Sequence, residues 1–293
     1  MLDLSIIIVS YNGKEFLKNC IASVVNNVSN KISYEIIVVD NNSSDNSAQM
    51  VREEFSKVKL IANKENFGFS KANNQGVKIC QKSKYILFLN PDTVMQRQTI
   101  EEMINFMDSH KDAGASTCKL IMPNKKIDDA SHRGFPTPWN AFAHFSGLER
   151  IFPKSKLFAG YSLGFLDLSK IHEIDVLAGA FMLVRRGAGE EAKWWDEDYF
   201  FYGEDIDFCY QLKRKGWKIY YVPIVSITHY KGVSGGIKSV SKEITTASIE
   251  TKRTAMKWRF EAMRIFYKKH YVGKYPWIIN WLVNAGISTR EKI

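Results

Sequence analysis

The chain opens with Leu4–Val9, a run dominated by β-branched apolar residues that stops at Ser10-Tyr11-Asn12, the pattern of a buried strand ending in a polar turn. Residues 14–27 then set Phe16/Leu17, Cys20/Ile21 and Val24/Val25 on one face at helical spacing. A second apolar run ends at Asp40 and leads into residues 44–55, where Ser44 and Asp45 suit a helix start. A third, shorter run begins at Lys59 and gives way to a helical stretch from Ser70. The fourth, "KYILFLNPD", closes at Asn90-Pro91-Asp92, and residues 97–110 read as the helix after it. Strand–helix alternation of this kind predicts an α/β fold: an open, doubly wound, mostly parallel sheet flanked by helices. Ligands bind such sheets at the carboxyl ends of the strands. Those ends carry Ser10-Tyr11-Asn12, Asp40-Asn41-Asn42, Asn66-Phe67-Gly68 and Asn90-Pro91-Asp92, polar clusters gathered on one rim.

The centre of the chain is less periodic. Residues 115–123 and 127–135 read as strands or a hairpin, and residues 136–165 as an aromatic loop. Asp175–Arg186 resumes an apolar strand, and Asp205–Lys215 a helix stopped by Gly216 and followed by another strand.

Composition narrows the classes. At 293 residues, with 45% hydrophobic and 25% charged positions, the chain is globular and has room for one large α/β domain or two ordinary ones. Cys20, Cys80, Cys118 and Cys209 stand far apart, against a zinc site or disulfide scaffold and in keeping with a reducing cytoplasm. The first residues lack a basic leader, and no apolar run approaches the ~18 residues of a membrane span. The expectation is a cytoplasmic protein, soluble or peripheral on the cytoplasmic face of a membrane. The net charge of +10 is uneven: residues 242–293 hold 11 Lys and Arg against 4 Asp and Glu.

Several positions could carry chemistry. A carboxylate at Asp40, on the ligand rim, can accept an N–H from a nucleobase edge, although Ser43–Asp45 also suit plain capping and turn roles. The stretch "ENFGFSKANNQGV" brings Asn66 and Asn74 near that rim, but it matches neither the G-x-G-x-x-G nor the phosphate-loop lysine pattern. In "GEDIDF", Glu204, Asp205 and Asp207 are framed by Tyr199–Tyr202 and Phe208; acids favour a helix start, yet aromatics beside carboxylates also make a partly desolvated base. His229 follows an apolar strand, and Asp92 is the carboxylate that could join it on a metal.

In order, "SIIIVSYN", "IIVVDNNSSDNS", "NFGFSKANNQG", "YILFLNPD", "LAGAFMLVRR", "FFYGEDIDFCYQLKRKGW" and "THYKGVSGG" resemble the family 2 glycosyltransferases, over residues 3–236. Within them the chain is similar to bacterial rhamnosyltransferase-type members that build cell-surface polysaccharides. The resemblance implies a GT-A fold and an inverting transfer from a nucleotide-activated sugar, assisted by Mg²⁺ or Mn²⁺. It implies that Asp40 reads the base, with Ser10, Asn12, Asn66, Asn74 and Asn90 lining the nucleotide-sugar site. Asp92 and His229 would hold the metal, Asp205 would be the general base, and Glu204 would orient the acceptor. Asn90 departs from the usual pattern by replacing the first acid of the Asp-x-Asp motif, which removes one charge from the metal site. The resemblance points to dTDP-L-rhamnose as donor, with UDP-hexoses open on the same scaffold, and to a glycan or lipid-linked glycan as acceptor. A sugar-1-phosphate nucleotidyltransferase would want an Arg- or Lys-bearing glycine loop, of which "SYNGKEF" is a poor version; a non-catalytic nucleotide- or glycan-binding module is the third reading.

Residues 1–240 would then form the catalytic domain, with a nucleotide-sugar half (1–115) and an acceptor half (116–240), and residues 241–293 a basic, aromatic helical extension. Wound as a helix, Arg253, Lys257, Arg264 and Lys268 cluster beside Met256, Phe260, Met263 and Tyr267, and Trp277 and Trp281 follow. Such a tail packs on the domain or on a partner subunit in a homo-oligomer, or rests on an anionic membrane. No motif for nucleic acid accompanies its charge.

Overall fold

The computed structural model describes residues 1–232, 236, 245 and 247–291. The strands are β1 (Leu2–Ser10), β2 (Tyr34–Asp40), β3 (Lys59–Ala62), β4 (Ser83–Leu89), β5 (Thr93–Val94), β6 (Ala113–Ile121), β7 (His172–Ile174), β8 (Phe181–Arg185) and β9 (Lys218–His229). They form one sheet in the order β3-β2-β1-β4-β8-β6-β9-β5, with β7 also paired to β9. The first four run parallel, as the strand–helix alternation requires. β8 then enters antiparallel between β4 and β6, while β6 and β9 are again parallel.

Helices α1 (Lys14–Asn27), α2 (Ser47–Glu54), α3 (Phe69–Ile79) and α4 (Thr99–Ser109) connect the early strands. Pleating divides the buried residues between two layers. Ile6, Ile8, Ile36 and Val38 pack with α1 and α4, whereas Ile7, Val9, Ile37 and Val39 pack on the opposite face with α3. That second layer also takes in α7 (Arg186–Ala192) and α8 (Glu204–Arg214), through Ala188, Phe208 and Leu212.

The middle of the chain differs from its sequence pattern. Residues 115–123 belong to the long central strand β6, but residues 127–135 form no second strand. A turn with Lys125 at φ 64 leads to a single bridge, Ile121 to Ile127, then one 3-10 turn over Asp129–Ser131, then another bridge, Arg133 to Val176. The aromatic stretch expected as loop contains α5 (Pro138–Ser146) and α6 (Leu148–Ile151). Thr137 caps α5 by accepting from the Asn140 N–H, and Pro138 occupies its first turn, where a missing N–H costs nothing.

Helices α9 (Ile249–His270) and α10 (Trp277–Glu291) complete the chain. α9 is part of the body. Phe266, Tyr267 and Tyr271 bury against Tyr199 and Tyr210, and His270 bonds Asp207 of α8 at 2.5 Å. The expected boundary at residue 240, and Val233–Gly235 of the glycine-rich loop, lie outside the described residues.

Candidate active site

A cavity of about 840 Å³ opens over the carboxyl ends of β1, β2 and β4, with α8 and α9 on its far side. This lies within the range of ligand-binding clefts. Asn66, Asn90, Asp92, Glu204, Asp205 and His229 line it, so six of the residues singled out from sequence converge on one space.

Ser10, Asn12, Asp40 and Asn74 do not line it. The period-two pleat explains two of them. Ser10 and Asp40 are register partners that continue the Ile6/Ile8 and Val38 face, toward α1. Val9, Tyr11 and Asn41, which continue or follow the other face, reach the cavity. Asp40 accepts the Ser43 N–H at 2.9 Å and turns the chain after β2. Its other oxygen and the Ser10 hydroxyl are buried without partners. Asn12 sits at φ 50 and ties its loop to Ser43 and Ser44. The Asn74 amide is spent on the backbone of Trp195 and on Glu197. Tyr11 and Asn41 therefore stand on the cavity wall, and Asp40 stands behind it.

At one pole, the two-residue strand β5 pairs Thr93 with His229 and so sets Asp92 beside that imidazole. Asp92 Oδ1 lies 3.4 Å from His229 Nε2, and among the described residues neither atom has a hydrogen-bond partner although both are buried. On its other side His229 Nδ1 meets Asp128 Oδ2 at 2.8 Å, and Lys231 also pairs with Asp128. Burial alone would push the His229 imidazole down, but the charges of Asp92 and Asp128 raise it to about 9. Burial likewise opposes the Asp128 charge, yet His229 and Lys231 hold that carboxyl well below the usual range. An outer carboxylate on Nδ1, with Nε2 turned to a second carboxylate, is the arrangement in which an acid orients a metal-binding histidine; an ion there would take the place of the Nε2 proton.

Among the described residues no three His, Cys, Asp or Glu side chains converge to cage a metal. The two orphaned atoms, Asp92 Oδ1 and His229 Nε2, nonetheless fit an ion that takes most of its ligands from phosphate and water, as Mg²⁺ and Mn²⁺ do.

At the other pole, Tyr202 and Gly203 both adopt positive φ, 71 and 81, and start α8 with Glu204 and Asp205 facing the cavity. Arg133 donates to Asp205 Oδ2 at 2.5 Å. Burial disfavours the Arg133 cation, but Asp205 and Tyr161 more than offset that. Glu204 Oε2 is buried with no partner. Burial, and then the Asp205 charge, pushes the Glu204 carboxyl up to about 8, so it is largely protonated at neutral pH and presents an O–H. Arg133 thus pairs with one of the two neighbouring acids, and the other is the one that burial favours in its neutral form.

The sequence profile of glycosyl transferase family 2 matches residues 5–167. The chain belongs to glycosyl transferase family 2. This glycosyltransferase is 29% identical to "Rhamnosyltransferase WbbL" of Escherichia coli K12 over 233 residues, 77% of the chain and 82% of that protein. It is 24% identical to the "N-acetylglucosaminyl-diphospho-decaprenol L-rhamnosyltransferase" of Mycobacterium tuberculosis H37Rv, covering 80% of the chain and 78% of the relative. Its fold is of the GT-A type. The crystal structure of GalNAc-T7 with UDP, GalNAc and Mn²⁺ superposes with TM-score 0.57 at 15% identity, covering 78% of this chain and 44% of the other. S. aureus TarS 1-349 does so with TM-score 0.54 at 15% identity, covering 89% and 65%.

Three features of the glycosyltransferase's site escape sequence reasoning: Asp128, Arg133 and the wall formed by α9. Asp128 lies 101 residues from the histidine it orients, and nothing in the pattern around it reports the pairing. The α9 wall was legible only as one apolar face of a basic helix.

Proposed function

We propose that this glycosyltransferase moves L-rhamnose from dTDP-L-rhamnose onto a hydroxyl of a cell-surface or lipid-linked glycan, with inversion at the anomeric carbon. The observation that carries the reading is the placement of the two buried, unpartnered atoms, Asp92 Oδ1 and His229 Nε2, in the same cavity as Glu204 and Asp205. A site with a metal-binding pole and an acid pole suits direct displacement between a nucleotide sugar and an acceptor. The names of the Escherichia and Mycobacterium relatives support rhamnose as the sugar.

In this reading the nucleotide lies toward Tyr11, Asn41 and Asn66, and its diphosphate toward Asn90 and Asp92. Asp92 and His229 would hold Mg²⁺ or Mn²⁺; when bound, the ion supplies positive charge at the departing oxygens, worth several kcal/mol in order of magnitude. Asp205, oriented by Arg133, accepts the proton of the acceptor hydroxyl. That oxygen forms its bond to the anomeric carbon from the face opposite the diphosphate, the carbon–oxygen bond to the diphosphate breaks, and the nucleoside diphosphate leaves. The protonated Glu204 donates to a neighbouring acceptor oxygen and fixes its orientation. The replacement of an acid by Asn90 leaves the protein's own hold on the metal weak, so metal and nucleotide sugar bind together.

Among the described residues no helix is long and apolar enough to cross a membrane. Trp277 and Trp281 of α10 are nevertheless 77% and 63% exposed. They support peripheral contact with an anionic membrane on its cytoplasmic side, where a lipid-linked acceptor would lie.

The test is a panel of dTDP-rhamnose and common UDP- and GDP-sugars with Mn²⁺, scored by thermal shift and then by transfer. Asp205→Asn is expected to lower transfer by at least the roughly 10²–10⁴-fold typical of general-base loss, with the nucleotide-sugar shift retained. Unchanged turnover in that variant removes Asp205 as the base, and a UDP-sugar as best ligand removes the rhamnose assignment.

A further inference from the structure

One wall of the cavity comes from a part of the chain beyond the family match. Thr251, Thr254, Ala255, Trp258, Arg259 and Ala262 of α9 all line it, at the three- and four-residue spacing of a single helix face. That face is seated on the acid-bearing turn: a Cβ on Gly203 would come within 2.9 Å of the Ala262 methyl. Lys269 pairs with Asp196 and Asp198, and His270 with Asp207, so both sides of the turn are fastened to the same helix.

Two groups on this stripe are left unsatisfied. The Trp258 ring stacks on Phe200, with centroids 4.6 Å apart and planes 20° from parallel, yet its indole N–H is buried with no acceptor among the described residues. Buried indole N–H groups normally find a partner, and leaving one without costs about 1–3 kcal/mol. Arg259, the next residue, is half-buried on the cavity wall and makes no ion pair or hydrogen bond with another described residue. A donor and a cation, side by side and about one turn from Ala262, the residue seated on the acid-bearing turn, call for a ligand with a neutral oxygen next to an anion. A sugar carrying a phosphate has both.

We propose that the α9 stripe is the acceptor subsite, where the Trp258 N–H donates to a sugar oxygen and the Arg259 guanidinium pairs with the phosphate joining that sugar to its carrier. The inference rests on the glycosyl-transfer reading above and names its acceptor class: a glycan attached through a phosphate or diphosphate, not a neutral glycan. Glu250, one carboxylate on the same wall, stands more than two turns from Arg259 and does not neutralise it.

The test is calorimetry on the full chain with two probes that differ in one group: N-acetylglucosaminyl diphosphate on a short alkyl chain, and the same alkyl glycoside without phosphate. The parent should bind the diphosphate probe more tightly. Arg259→Gln should weaken that probe about tenfold or more, the scale of one hydrogen bond to a charged group, and erase the preference, with Arg259→Lys restoring part of it. Trp258→Phe, which keeps a ring on Phe200, should weaken both probes alike. Equal binding of the two probes by the parent, binding of neither, or an unchanged diphosphate affinity in Arg259→Gln overturns the proposal. Thermal shift with nucleotide sugars, run on the same samples, separates the two ideas. A parent without any nucleotide-sugar shift sinks the transfer reading itself, whereas a normal shift in the parent and in both Arg259 variants confines a failure to α9.

Discussion

At the scale of the residue, the site is a set of charges held in unusual states by their neighbours. His229 is raised from 6.5 to about 9. A histidine whose folded value lies above its unfolded one stabilises fully below about 6.5 and loses that contribution as pH climbs through about 9. At ~1.36 kcal/mol per unit its share is on the order of 3 kcal/mol. Glu204, raised from 4.5 to about 8, acts in the same direction, because its neutral form is the one the fold favours. The metal-free protein should therefore melt at progressively lower temperature between about pH 4.5 and 9, the Glu204 part falling from about 4.5 to 8 and the His229 part from about 6.5 to 9, measured by calorimetry. His229→Gln should remove its own part of that slope and leave that of Glu204; a slope identical to the parent's would show that His229 is not held charged between Asp92 and Asp128. The residue scale also shows where sequence stops. The clusters at the strand ends were legible, and Asn66, Asn90, Asp92, Glu204, Asp205 and His229 meet in the cavity. That Asn41 and Tyr11 face the cavity and Asp40 and Ser10 do not was not legible, because β1 and β2 are apolar on both faces and nothing in an evenly buried strand marks which face meets the cavity.

At the scale of the element, the hinge of the arrangement is the turn before α8. Gly203 has φ +81, which an L residue adopts only at a cost of about 1–2 kcal/mol, and it has no space for a methyl against Ala262. Gly203→Ala should lower stability to denaturant by at least that amount and reduce transfer more than nucleotide-sugar binding, since it displaces the acids and not the strand ends. Pairing it with Ala262→Gly should recover part of the stability, the signature of two residues in contact. If the single variant is as stable as the parent, α9 is not seated on that turn. The strands and helices through residue 110 followed their periodicity closely. β8 did not announce its direction, because an antiparallel strand buried on both faces has the same composition as a parallel one. α5 was missed under its aromatic residues, although Thr137 and Pro138 spell a helix start.

At the scale of the whole molecule, many of the exposed apolar residues gather in two patches. Trp139, Phe142, Ile151, Phe152 and Leu157 are exposed on and after α5 and α6, and Trp277, Ile278, Trp281 and Leu282 on α10, where no residue is buried. Arg290 of α10 donates to the Phe145 carbonyl and stacks over its ring, so the two patches border each other near the cavity walls formed by Phe145, Val283 and Ile287. Arg253, Lys257 and Lys268 remain exposed along α9. Trp277→Ser with Trp281→Ser should reduce sedimentation with anionic vesicles and spare neutral ones less binding to lose; equal sedimentation of parent and variant would leave the patch to a protein partner or a second copy. The positive charge of the tail was legible in sequence. That α9 and part of α10 wall the site was not, because it depends on a fold-back of α9 onto α8. That fold-back has a consequence for how the molecule comes into being. The strand ends that begin the cavity leave the ribosome well before the wall that finishes it, so a growing chain carries half a pocket, and the reaction has no place to occur until α9 has emerged and folded back.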